Sequence, residues 1–248
     1  MLYNLLTPLA NDVAVLNLFR YLTFRTGAAV LFSLMVTLII GPAMIRWLKR
    51  LQREGQPIRS DGPQSHLVTK KGTPTMGGLM ILLSAAATTL LWADLTNGFV
   101  WIVLLVTISY GLIGFGDDFL KLTKRNTKGL PGRLKLVAQG AIGLVAAFLI
   151  MRMTPEPLST GLAVPFFKEV LLPLGLFFVP FAAFVMVGAS NAVNLTDGLD
   201  GLAIVPVMIA AACFSLIAYL VGNTVFAEYL QLHFVPRTAA LAVFCCVT

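Results

Sequence analysis

The sequence predicts an all-α, multi-pass integral membrane protein, and three observations carry that prediction. Apolar residues make up 58% of the 248 and charged residues only 12%, against roughly 25% charged in a soluble domain. The mean hydropathy is +0.87. The charges are also segregated, leaving uncharged stretches at 26–45, 74–93, 95–116, 136–151, 170–196 and 201–227. Roughly 20 apolar residues span a bilayer as a helix, so six complete transmembrane helices are expected. A disordered chain is excluded, because it would be charge-rich and apolar-poor.

Each stretch carries its own local signals. The first, 26–45, contains Gly41-Pro42 near its end, where the missing backbone donor predicts a kink. The second opens on Pro74, which suits the first position of a helix. The third, 95–116, stops against Asp117-Asp118. The fourth, 136–151, is short, and Leu134 with snorkelling charged neighbours completes it. Pro155, Pro157 and Pro165 make 153–168 a loop, with a short extended piece around Leu162 to Phe166. Residues 238–248 remain apolar to the last position and read as the start of a seventh helix, cut off by the end of the sequence. Trp47, Trp92 and Trp101 lie near span ends, where amphipathic aromatics favour the interface. No repeat or linker divides the chain, so 1–248 reads as a single membrane domain.

The net charge of +7 does not indicate nucleic acid here. Thirteen of the eighteen Lys and Arg fall in two segments, 46–71 and 121–135. Positive residues in short loops mark the cytoplasmic side, so loops 46–73 and 117–135 are expected inside. The same reading places the 190–200 turn inside and the N-terminus outside. Arg20 and Arg25 oppose it but are outnumbered, and the outer segments 94–97, 152–169 and 228–237 are nearly charge-balanced. A cleavable signal peptide is not expected, since the first ten residues hold no basic side chain. Cys213, Cys245 and Cys246 all lie in apolar stretches, which argues against a disulfide framework or a cysteine metal site.

Chemistry must then come from three polar constellations in the inward loops. The first is Asp61 to His66 followed by Lys70-Lys71-Gly72-Thr73-Pro74-Thr75-Met76-Gly77-Gly78. Free N–H groups at a helix start, with Thr75 and the lysines, would welcome an anion. A basic anchor followed by a tightly packed Gly-rich helix fits the same residues, and for Gly77 and Gly78 it fits better. The second is Gly116-Asp117-Asp118-Phe119-Leu120-Lys121. Adjacent carboxylates at the C-terminal end of a helix are doubly unfavourable, through mutual repulsion and the helix dipole. Lys121, one turn on, can relieve this; so can Mg²⁺, which takes hard oxygen ligands with substrate phosphates completing its shell. The third runs from Asn191 to Leu202, with Asn194, Asp197 and Asp200 among its polar groups. Asp200 could cap a helix over 201–221, but capping explains one polar residue of several, and a polar pocket explains the rest. Carboxylates beside basic residues suggest metal-assisted chemistry on phosphates. His66 and His233, the two histidines, are assigned to opposite sides.

Tyr21-Leu22-Thr23-Phe24-Arg25, Asp61–His66, Lys70–Gly78, Asp117-Asp118, Val164–Lys168 and Asn191–Leu202 together resemble the phospho-N-acetylmuramoyl-pentapeptide transferase family, in order along essentially the whole chain. The Thr-Pro-Thr-Met-Gly-Gly string favours this branch over the polyprenyl-phosphate N-acetylhexosamine-phosphate transferases. The resemblance implies a ten-helix enzyme of the bacterial cytoplasmic membrane, with its site facing the cytoplasm. It implies transfer of phospho-N-acetylmuramoyl-pentapeptide from UDP-N-acetylmuramoyl-pentapeptide to undecaprenyl phosphate, giving lipid I and UMP with Mg²⁺ as cofactor. By motif position, Asp117 and Asp118 are catalytic, with Asp117 the base for the lipid phosphate. Lys70, Thr75, Asn191, Asn194, Asp197, Gly198, Leu199 and Asp200 bind the nucleotide sugar, and Lys121 sits beside the phosphates. Asp117, Asp118 and Asn194 are the metal ligands expected in this sequence. The family also carries a Met-Gly-Asp segment and a His-rich inner loop beyond position 248. A second copy of the chain stands as a candidate partner. A transporter is the rival class, but transport sites sit near the midplane on broken helices, whereas these acids lie at expected span ends.

Overall fold

The computed structural model describes residues 1–52, 75–124, 129–164, 167, 170–196 and 202–247. A short helix α1 (Leu2–Leu9) and a 3-10 turn (Ala14–Arg20) lead into α2 (Leu22–Leu51), followed by α3 (Gly78–Trp92), α4 (Gly98–Lys124) and α5 (Gly132–Met153). Strands β1 (Gly161–Ala163) and β2 (Leu171–Pro173) come next, then α6 (Phe178–Thr196), α7 (Ile204–Val221), α8 (Thr224–Tyr229) and α9 (Leu241–Val247). The protein is an all-α polytopic membrane protein. Helices α2, α4, α5, α7 and the segment Gly175–Thr196 are long and apolar enough to cross a bilayer. Their surfaces stay apolar where they meet no neighbour, as Leu38, Val137, Phe184 and Leu216 show; lipid tails receive such surface without cost.

The structure corrects the expected span boundaries in one direction. Helices run past the apolar stretches and into the polar ones, because backbone hydrogen bonding continues wherever water or side chains solvate the helix. α2 passes through Pro42 and ends nine residues beyond it, at Leu51. α4 extends from the expected stop at 116 to Lys124, and α6 carries Asn191 to Thr196 as helix. The expected inward loops 46–73, 117–135 and 190–200 are therefore helical over much of their described length. α3 is the exception. It has 15 residues, about 22 Å at 1.5 Å per residue against about 30 Å of hydrocarbon. So the expected six complete spans become five long helices and one short one among the described residues. The stretch 201–227 also breaks. α7 starts at Ile204 with Ala203 at its N-cap, not at Asp200, and Val221 ends it before Asn223 caps α8.

The expected extended piece is real but sits earlier and has a partner. Gly161, Leu162 and Ala163 pair antiparallel with Pro173, Leu172 and Leu171, so the chain is extended where the fifth span was expected to begin.

Small and hydroxyl side chains bring the helices together. Ser84 of α3 donates to the Ser33 carbonyl at 3.1 Å and shares a hydroxyl–hydroxyl bond with Ser33 at 3.0 Å; Thr37 donates to Ser84 at 3.1 Å. Gly143 lets α5 approach α6 so closely that a methyl group there would lie 3.3 Å from the Ala183 Cα. The apolar core gathers Ala29, Ala93, Val100, Leu104, Val243 and Phe244, so α9 is packed inside against α2 and α4. At that end of the bundle, Arg25 is buried with its guanidinium 4.1 Å above the Tyr3 ring, and Asn97 donates to the Arg237 carbonyl at 2.8 Å. The acidic pair occupies the opposite end.

Candidate active site

The last turns of α4 and the connections before α3 and α5 build the site around Asp117 and Asp118. Both acids lie on α4, with the helix continuing to Lys124. The terminal dipole falls off within the last turn, so the expected dipole penalty is largely removed; only the mutual repulsion remains. Lys121, one turn on, answers it. Its Nζ lies 2.6 Å from Asp117 Oδ2 and 3.2 Å from Asp118 Oδ1, leaving one net negative charge among the three. Lys135, on the first turn of α5, adds a more distant positive charge.

The other carboxylate oxygens are reached from neighbouring segments. Asp117 Oδ1 accepts from the Leu130 N–H at 2.7 Å. Asp118 Oδ2 accepts from the Thr75 hydroxyl at 3.0 Å. Thr75 thus joins the acidic pair, as a hydrogen-bond donor to a carboxylate. The expected helix start at Pro74 is displaced to Gly78, because Thr75 and Met76 leave helical geometry, Met76 at a φ of 71°.

The third constellation reaches the same end by helix geometry. α6 runs antiparallel to α5: Gln139 meets Ser190 and Asn191, while Gly143 meets Ala183. The Thr196 end of α6 therefore lies toward the start of α5, beside which Leu130 binds Asp117. Asn191 donates to Gln139 Oε1 and to the Val187 carbonyl, each at 2.8 Å. Gln139 is 3% exposed, and its backbone carbonyl accepts from the Tyr110 hydroxyl at 3.0 Å. Asn194 is exposed and makes no hydrogen bond to the acidic pair. Lys70, Asp197, Gly198, Leu199 and Asp200 lie outside the described residues, as does the Asp61–His66 motif.

Three participants were not singled out in the sequence. Gly129 has a φ of +57°, and a methyl group on it would overlap Asp117 Oδ1 and lie 2.9 Å from Lys121 Cε. Its signal was the Gly-Leu-Pro-Gly punctuation at 129–132, a turn pattern that says nothing of the acid it touches. Gln52, 8% exposed, pairs with both backbone polar groups of Thr75; no sequence pattern announces that. Gln139 is a polar residue inside an apolar run, which does flag interhelical hydrogen bonding.

The donor set suits a hard divalent cation. Each ionised carboxylate offers about four lone-pair directions, and two are taken on each acid. The side chains of Asp117 and Asp118 are 18% and 32% accessible. Among the described residues no group of three or more His, Cys, Asp and Glu gathers. A cation here would use two carboxylates with phosphate and water oxygens, which is the habit of Mg²⁺.

Comparison with known proteins identifies the family. Residues 100–246 match the model of glycosyl transferase family 4. Residues 70–82, which include Thr75, match signature 1 of the phospho-N-acetylmuramoyl-pentapeptide-transferases. The phospho-N-acetylmuramoyl-pentapeptide-transferase of Granulibacter bethesdensis is 64% identical over 245 residues, covering 99% of this chain and 68% of that protein. The chain belongs to glycosyl transferase family 4 and, within it, to the phospho-N-acetylmuramoyl-pentapeptide-transferases.

Proposed function

We propose that the protein transfers phospho-N-acetylmuramoyl-pentapeptide from UDP-N-acetylmuramoyl-pentapeptide to undecaprenyl phosphate, producing lipid I and UMP. The observation that carries this reading is the hydrogen bond from Thr75 to Asp118. It joins the family's signature segment to an acidic pair at one end of an apolar helix bundle. A lipid phosphate stays in the bilayer while a nucleotide sugar arrives from water, and a site at a span end reaches both.

In the reaction, an oxygen of the lipid phosphate forms a bond to the sugar-bearing phosphorus of the nucleotide. The bond from that phosphorus to the bridging oxygen breaks, and UMP leaves with the electron pair. Asp117 takes a proton from the lipid phosphate when that group is protonated, and the Leu130 N–H and Lys121 hold its carboxylate in place. Asp118, oriented by Thr75 and Lys121, would hold Mg²⁺ together with Asp117, with Asn194 as a further ligand. The metal, when bound, supplies positive charge to the phosphate oxygens. Lys121 gives a second positive charge at the same place. Lys70, Thr75, Asn191, Asp197, Gly198, Leu199 and Asp200 bind the nucleotide sugar. Asn191 acts at the wall of that pocket, where its amide braces α6 against Gln139.

The proposed site faces the cytoplasm from the bacterial inner membrane; the thirteen basic residues of 46–71 and 121–135 support that orientation. The test is product formation by the purified protein from both substrates over a Mg²⁺ titration, with Asp117→Asn and Asp118→Asn alongside. Removing one strong electrostatic contribution costs about 10²–10³-fold in rate, and relief of like-charge repulsion should leave folding intact. Near wild-type turnover in both folded variants would sink the assignment.

A further inference from the structure

We propose that Gln52 is a positioning residue for the acidic pair, acting through the backbone of Thr75. This rests on the transferase reading above and names a residue that the reading does not contain. Gln52 follows the last turn of α2, where its own N–H donates to the Leu48 carbonyl at 2.9 Å and closes the helix. Its side chain is turned inward and is 8% exposed. There Oε1 accepts from the Thr75 N–H at 2.9 Å, and Nε2 donates to the Thr75 carbonyl at 3.2 Å.

Two opposed hydrogen bonds from one planar amide fix both the position and the orientation of a residue, as one rung of a β-ladder does. A single bond would leave Thr75 free to swivel. The need for such a clamp is visible next door. Met76 has a φ of 71°, a left-handed conformation that is unfavourable for a non-glycine residue and persists only under outside support. With its backbone held, Thr75 directs its hydroxyl to Asp118 Oδ2 at 3.0 Å, while Lys121 holds Asp118 Oδ1. The chain of contacts runs from the end of α2 through the connection before α3 to the acids on α4. Other side chains cannot repeat it: glutamate lacks the donor, and asparagine is one methylene shorter. Gln52 touches no reacting group in this scheme.

The experiment compares Gln52→Ala, Gln52→Glu, Thr75→Val and the Gln52→Ala/Thr75→Val double variant with the wild-type chain. Initial rates give kcat and KM; hydrogen–deuterium exchange follows the Thr75 amide; melting reports the fold. A positioning role predicts a kcat loss of about 10²-fold for Gln52→Ala, the order expected from a misplaced catalytic group, with KM nearly unchanged. Thr75→Val should fall by a similar factor, and the double variant no further, because both changes break one path. Gln52→Glu keeps an acceptor for the Thr75 N–H and should fall between Gln52→Ala and wild type. Exchange at Thr75 should accelerate in Gln52→Ala and not in Gln52→Glu. Multiplying losses in the double variant, an unaltered kcat, or unaltered exchange at Thr75 would each overturn the proposal. If Gln52→Ala does not fold, the kcat of Gln52→Glu decides: a value below wild type with KM nearly unchanged supports the clamp, and a wild-type kcat overturns it. A wild-type chain without turnover removes the transferase reading, and the exchange rates alone then decide the clamp. An inactive Asp118→Asn beside a fully active Gln52→Ala removes the clamp and leaves the transferase standing.

Discussion

Substituting Gly129 by alanine perturbs the acidic pair without touching a charge. Gly129 has a left-handed φ of +57°, and its absent side chain leaves the space that Asp117 Oδ1 occupies. Two effects therefore add. An alanine held in the left-handed region costs about 1–2 kcal/mol, which lowers the melting temperature by about 2–8 °C for a chain of this size. The methyl group must also move something, and the nearest atoms are Asp117 Oδ1 and Lys121 Cε. The carboxylate is tied to the Leu130 N–H at 2.7 Å, so its displacement breaks that bond and shifts the pair relative to its substrate. Misplacement of a reacting group by about 1 Å costs about 10²-fold in rate. The assay is UMP release from UDP-N-acetylmuramoyl-pentapeptide with undecaprenyl phosphate, together with thermal melting. Gly132→Ala is the control, since a methyl group there meets nothing within 4 Å and alanine favours a helix. Gly129→Ala with wild-type turnover and melting would show that neither the backbone conformation nor the Asp117 placement is as described.

Two further outcomes are expected. Gln139→Ala and Asn191→Ala should be non-additive in stability, with a coupling of about 0.6 kcal/mol, the usual worth of a hydrogen bond between membrane helices; zero coupling in a double-mutant cycle would show that the 2.8 Å contact contributes nothing. A cysteine introduced at Ser60 should react with an impermeant reagent only after the cytoplasmic face is opened, and labelling in intact cells would reverse the orientation.

The sequence by itself determined the class of the protein, because the bilayer imposes a one-dimensional rule. Hydrocarbon must be crossed by apolar helix, so composition and spacing exposed the spans. Charge placement likewise singled out Asp117, Asp118 and Lys121, whose i, i+3 and i, i+4 spacing is a local property that the helix of 98–124 realises directly. Helix ends escaped the same logic. Hydropathy registers where lipid stops, while a helix stops where its hydrogen bonds fail, so α4 ran on to Lys124 and α7 began at Ile204, past Asp200. Only the tertiary structure could show what meets the acids. Thr75 lies 43 residues from Asp118 and Leu130 lies 13 from Asp117, and no local pattern encodes which carboxylate oxygen each one addresses. Gln52 and Gly129 lie further still from any sequence rule. One acts through its amide's two opposed hydrogen bonds and the other through the atoms it lacks, and both depend on three segments being packed against one another.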